Sequence, residues 1–133
     1  HTRAPGDVPV LVEWWPRPVY TPGRQSWVTD LLVLAGGRNP FAHHDVPSLA
    51  VDTADVVREA PEAIVISWCG VPTAKYRPDI VRRREGWGDV PAVRDGRITP
   101  IAEAWLGRPG PRLVEGLRAL GEVVTSAREA SCR

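Results

Sequence analysis

The stretch AIVISW at 63–68, followed by the turn Cys69-Gly70-Val71-Pro72, decides how the rest of the chain is read. An apolar, β-branched run bounded by Pro61 on one side and a Gly/Pro turn on the other is a β-strand. Working outward, VPVLVEWW at 8–15 is a second apolar strand, ended by Pro16. A third strand is expected over Ile98–Ile101, after the Asp95-Gly96 turn. The segments between them change period. Gln25–Ala35 is expected to be helical, capped by Ser26, with Trp27, Leu31, Leu34 and Ala35 as its apolar stripe and Gly36-Gly37 as its stop. Asp52 or Thr53 caps a brief helix through Glu59, a polar helix covers Pro78–Glu85, and a helical turn covers Gly88–Val93. Pro111 opens a last helix to Ala127, striped by Leu113, Val114, Leu117, Leu120, Gly121 and Val124. Residues 16–23 and 103–110 are expected to be loops, and 39–50 irregular with a short extended piece at the end. Strands alternating with helices imply an α/β fold: a small, mostly parallel sheet flanked by helices.

Composition narrows the classes. The 133 residues suit one domain. Basic and acidic residues balance, 17 against 16, which argues against a nucleic-acid protein. Arg outnumbers Lys 16 to 1. No apolar run approaches the ~18–20 residues of a membrane span. The aliphatic content is too high for a disordered chain. Cys69 and Cys132 are the only cysteines, too few for a disulfide framework or a zinc cluster, and no metal site is expected. The chain begins at His1 rather than Met, as a processed product or a fragment would, and any secretion signal is expected upstream of it.

In open α/β sheets, ligands sit beyond the carboxyl ends of the strands. Here those ends are Glu13-Trp14-Trp15, Trp68-Cys69-Gly70 and Glu103-Ala104-Trp105, so a Trp ends or follows every strand. Such residues give flat apolar surface with a polar handle, which suits a large, flat ligand; the bland alternative is that they cap the core or pack loops. Other candidates carry less. His43-His44-Asp45 reads as an exposed loop rather than a metal site. Cys69 lies just past a strand, but SWCGV is not a nucleophile elbow and all three His lie upstream, so no enzyme is expected. Arg82-Arg83-Arg84 followed by Glu85 reads as a solvated helix face. AGGRN follows a helix, where a phosphate loop would precede one.

Several segments are familiar together: Glu13-Trp14 before a proline loop, LLVLAGGRNPF (31–41), VDTADVVREAPEAIVIS (51–67), GWGDVPAVRDGRI (86–98) and RPGPRLVEGL (108–117). Their order resembles the C-terminal lobe of ABC-transporter substrate-binding proteins of the cobalamin and ferric-siderophore class, with the cobalamin-binding members the nearest likeness. The resemblance implies one lobe of a two-lobe periplasmic-binding-protein-like fold, with the ligand held between lobes. Residues 1–7 would end a connecting segment, 8–127 would form the lobe and 128–133 a tail. The implied function is the extracytoplasmic, periplasmic or surface-anchored binding component of an importer for cobalamin or a related corrinoid, working with an ABC permease. Ferric siderophore or heme is the alternative ligand, and in either case the ligand is cargo, not a cofactor. A second alternative is a stand-alone lobe acting as an interaction module, as a monomer or a homodimer.

Position by position, the resemblance implies Glu13, Trp14, Trp15, Tyr20, Trp68, Cys69, Trp105 and Arg108 as cleft residues. The aromatics would give flat contact, while Glu13 and Arg108 would supply polar contacts or fix the loops. Arg24 and Arg108 facing the cleft would favour a siderophore. Asp55 is the candidate for docking onto the permease, although Ala54 fits the aligned place better. Two further departures are Ser48, where relatives can carry Trp, and Arg38, where many carry Glu.

Overall fold

The computed structural model describes residues 6–131. In chain order the strands are β1 (Val8–Glu13), β2 (Trp15–Pro16), β3 (Val19–Pro22), β4 (Gly37–Arg38), β5 (Ser48–Val51), β6 (Ala63–Ile66) and β7 (Ile98–Pro100). The helices are α1 (Trp27–Leu34), α2 (Thr53–Glu59), α3 (Pro78–Arg82), α4 (Pro91–Arg94), α5 (Glu103–Leu106) and α6 (Leu113–Ser131). A four-stranded sheet runs β4-β1-β6-β7 with every pairing parallel. A second ribbon, β2-β3-β5, is antiparallel.

Period-2 alternation on the two central strands divides the core. Val8, Val10 and Val12 of β1 and Ala63 and Val65 of β6 face one side, where α1 and α6 bring Val28, Leu32, Leu120, Val124 and Ala127. Leu11, Ile64 and Ile66 face the other, against Phe41, Trp68, Tyr76, Val81 and Trp87. A strand covered on both faces has no polar side, so both runs read as nearly unbroken apolar sequence. Ser26 caps α1 by accepting from the Val28 N–H. Asp52 and Asp55 form a capping box on α2.

Several expectations need correction. The proline loop is a hairpin: its turn holds a cis Arg17–Pro18 bond, and it leaves β2 and β3 paired in register Trp15↔Tyr20. β1 ends at Glu13, so Trp14 and Trp15 lie beyond the main sheet. The glycine pair does more than stop α1. Gly36 takes φ +90°, and Gly37 approaches Val124 and the Val8 carbonyl too closely for any side chain, which lets it join β1 as β4. The α1 stripe is partly rotated from expectation: Leu31 and Ala35 pack half-buried against the core, but Val28 and Leu32 are its fully buried residues, while Trp27 and Leu34 are exposed. Residues 103–106 form α5 rather than a loop, α3 ends three residues early, and α6 continues four residues past Ala127. Val114 is exposed, and the buried face of α6 is Gly116, Leu120, Val123, Val124 and Ala127. His1–Pro5 and Cys132–Arg133, parts of the expected connector and tail, lie outside the described residues.

Two glycines of α6 make opposite predictions. A Cβ on Gly116 would meet the Trp105 carbonyl oxygen and Leu106 Cδ2, whereas one on Gly121 meets nothing within 4 Å. Urea denaturation is expected to show Gly116→Ala destabilised by about 1–3 kcal/mol through overpacking. Gly121→Ala is expected to be stabilised by about 0.5–1 kcal/mol through helix propensity.

Candidate functional site

The site grows from the carboxyl end of β1. After Glu13 the chain leaves the sheet, and Trp14 is held by two backbone bonds: its N–H donates to the Tyr20 carbonyl at 2.7 Å, and its carbonyl accepts from the Cys69 N–H at 3.0 Å. The hairpin then sets Trp15 directly opposite Tyr20, which puts both rings on one face of the ribbon. They are 43% and 40% exposed. β3 pairs Pro22 with Ser48, which brings Pro47 and Ser48 to the same edge. The first turn of α1 adds Trp27, 38% exposed, whose indole N–H donates to the Leu106 carbonyl at 2.7 Å.

These elements enclose an open pocket of about 450 Å³. Four aromatic side chains form its face: Trp14, Trp15, Tyr20 and Trp27. Gln25, Ser26, Pro47, Ser48, Cys69 and Gly107 complete the wall, so no lining side chain carries a formal charge. Three large aromatic rings left exposed on one pocket form a contiguous apolar face rather than scattered surface residues.

Beneath the pocket floor lies an ion pair. Glu13 is fully buried because it shares the Leu11 face of β1. Its carboxylate takes both arms of Arg84, each at 2.9 Å, and the Trp68 indole N–H at 3.1 Å. Arg84 also donates to the Pro16 carbonyl at 3.4 Å and lies 4.4 Å over the Trp87 ring. Tyr76 donates to the Trp68 carbonyl and accepts from the Glu103 N–H, joining the end of β6 to α5. Burial, then the Glu103 charge, pushes the Cys69 thiol above its ordinary pKa, so it is protonated at neutral pH and is not an activated nucleophile.

Of the expected cleft residues, Trp14, Trp15, Tyr20 and Cys69 converge on this pocket. Glu13 and Trp68, 4% exposed, lie below it and offer it no free polar group. Trp105 sits on α5 and faces a separate cavity beside Thr99, Ile101 and Val123. Arg108 is exposed, with its Nε 3.8 Å from the Glu103 carboxylate. Arg24 is paired with Asp45 at 2.7 Å, away from the lining. Arg84 is not part of a solvated helix face: it lies beyond α3, and only Arg82 and Arg83 of the trio are exposed. Asp55 caps α2 and pairs with Arg58 at 2.9 Å; its carboxyl is held below the usual range by the Asp52 backbone hydrogen bond and then by Arg58. His43 and His44 are exposed, with ring centroids 4.2 Å apart, and among the described residues no three potential metal ligands converge. Gln25, Trp27, Pro47 and Gly107 escaped the sequence reading. Ser26, recognised as a cap, was the available signal, because a helix that starts at the carboxyl edge of a sheet puts its first turn beside the site.

Comparison with known proteins gives a consistent result. The family model described as periplasmic binding protein matches residues 3–103. An uncharacterized ABC transporter substrate-binding lipoprotein of Bacillus subtilis is 29% identical over 116 residues, covering 86% of this chain and 35% of that protein. A vitamin B12-binding protein of Photorhabdus laumondii is 30% identical over 106 residues, covering 80% of this chain and 35% of that one. The solved structure of an ABC-type Fe3+-hydroxamate transport system from Saccharomonospora viridis shares the fold. Its TM-score is 0.76 at 24% identity, over 87% of this chain and 41% of that one. The chain thus spans about a third of the length of the curated relatives it matches.

The buried pair sets a test by double-mutant cycle. Glu13→Leu, which strands the Arg84 guanidinium, is expected to cost about 2–4 kcal/mol in urea denaturation. Arg84→Leu, which strands the fully buried carboxylate, is expected to cost at least as much. The double variant is expected to cost less than either single one, because it leaves no unpaired charge behind.

Proposed function

This chain belongs to the periplasmic binding protein family, and on that premise we propose that residues 8–127 form one lobe of the extracytoplasmic binding component of an ABC importer whose cargo is cobalamin or a related corrinoid. The observation that carries the reading is the uncharged aromatic face of Trp14, Trp15, Tyr20 and Trp27 at the carboxyl edge of the sheet. A pocket of about 450 Å³ is at the lower end of what a ligand site needs, in keeping with a wall that covers one side of a larger, flat molecule. The vitamin B12-binding relative supports the corrinoid. The binding energy comes from ring-on-ring contact and from removing these exposed rings from water. The lobe acts by grip rather than by chemistry, and an ABC permease is its working partner. Asp55 is the proposed docking residue, on the exposed start of α2.

A ferric siderophore is the second reading, supported by the likeness to the Fe3+-hydroxamate protein, and heme is a third. The positive charge that would favour an anionic ferric chelate does not reach the pocket, because Arg24 is held by Asp45 and Arg108 stands outside the lining. That weighs against an anionic chelate; a ferric tris-hydroxamate is neutral overall, and the vitamin B12-binding relative is what ranks the corrinoid first.

Titrating cyanocobalamin into the full-length protein is expected to quench Trp fluorescence at micromolar concentration. Trp15→Ala and Trp27→Ala are each expected to weaken binding about tenfold. Trp105→Ala, in its separate cavity, is expected to change it less than about twofold. Absence of quenching at tens of micromolar would contradict the corrinoid. Visible bands of a ferric chelate or heme in the protein as purified would move the assignment to the alternative.

A further inference from the structure

The rim of the aromatic pocket contains an amide whose orientation is decided by its neighbours. The Gln25 Nε2 lies 3.1 Å from the Asp45 backbone oxygen and 3.0 Å from Asp45 Oδ1. Both partners are acceptors, so the group facing them is the NH2, and a flipped amide would set oxygen against two oxygens. Gln25 lines the pocket, and the amide atom that Asp45 leaves unengaged is Oε1, an acceptor with no proton to give.

Asp45 is itself fixed. Its carboxylate takes Arg24 Nη2 at 2.7 Å, and the segments carrying the three residues are tied by backbone bonds from the Arg24 N–H to the His44 carbonyl and from the Gln25 N–H to the Val46 carbonyl. The hydrogen bonds from Arg24 and then Gln25 hold the Asp45 carboxyl below its usual range. It stays ionised, and acceptor-only, at neutral and mildly acidic pH. Around Gln25 the wall is neutral, and the Trp27 N–H, which could have served as a donor, is already spent on the Leu106 carbonyl.

We infer that Gln25 is a specificity-determining residue of the pocket. It presents an acceptor that selects ligands carrying an amide N–H or hydroxyl donor at that edge and disfavours ligands carrying a carboxylate there. Asp45 is the positioning residue that fixes which end of the amide is shown. A carboxylate placed against Oε1 would meet an acceptor where it needs a donor, which is discrimination by repulsion as well as by attraction. The inference rests on the reading of the aromatic pocket as the ligand site.

The test compares two probes on the full-length protein: cyanocobalamin, and its product with the peripheral amides hydrolysed to carboxylates. The wild type is expected to bind the first at least about tenfold more tightly. Gln25→Met keeps the length of the side chain and removes its polar end. Asp45→Asn turns one of the two acceptors into a group that can donate, leaving the Asp45 backbone oxygen alone to oppose a turn of the Gln25 amide. Each variant is expected to cut the preference between probes at least about threefold. The ratio of the two affinities is the readout, since a merely structural effect would weaken both alike. An unchanged ratio in both variants overturns the role of Gln25 and leaves the pocket standing as the ligand site. A wild type that binds neither probe overturns the pocket reading and the inference together.

Discussion

A carboxylate placed at the end of a fully buried strand has to be neutralised where it lies, and the carboxyl edge of the sheet is arranged around that constraint. Glu13 occupies a position that alternation would give to an apolar residue, one pleat on from Leu11. It is matched by Arg84, which reaches in from beyond α3, and by the Trp68 indole at the end of β6. The same guanidinium touches the Pro16 carbonyl and covers Trp87. Three segments distant in sequence are thereby held at one end of the sheet. Such a pair is weak evidence for stability, because desolvation offsets most of its attraction. Its consequence here is positional: it anchors the point from which Trp14 and Trp15 emerge.

Order at that point is passed to the pocket through the backbone. Trp14 is bonded to the Tyr20 carbonyl and to the Cys69 N–H, so the first residue beyond the sheet ties the hairpin to the end of β6. β5 continues the ribbon to Ser48, and the α1 first turn closes the circle through Trp27 and Leu106. The rings are large, carry few rotatable bonds and are held by rigid elements, so they lose little freedom when a ligand covers them. A binding face needs that rigidity more than it needs depth, which fits a shallow, open pocket.

What was legible in the sequence follows the range of the forces involved. β1 and β6 are nearly continuous apolar runs, α1 and α2 carry side-chain caps, and each signal lies within a few residues. The hairpin was hidden because Pro16, Pro18 and Pro22 punctuate it, and because its third strand, β5, is a long-range partner with a weak local pattern. β4 spans only Gly37–Arg38 and exists because of a close approach to Val8 and Val124 that no local motif announces. Glu13 and Trp68 lie at the carboxyl edge of the sheet but below the pocket lining, and no local pattern announces it, since the pairing with Arg84 is a contact across the fold. The α1 stripe was read about a quarter-turn out of phase, which hid Trp27 as a wall residue and treated Leu34 as core.

The most direct test of the account uses Cys69, which lines the aromatic face and carries an unactivated thiol. The measurement is the alkylation rate of Cys69 in the full-length protein, resolved by peptide mass against a free-thiol peptide added as reference, with and without saturating cyanocobalamin. The account predicts that bound corrinoid slows Cys69 labelling at least about tenfold while the reference peptide reacts at an unchanged rate. Corrinoid that binds, shown by its own absorbance on the protein, yet leaves the Cys69 rate untouched would place the ligand elsewhere and contradict the central claim.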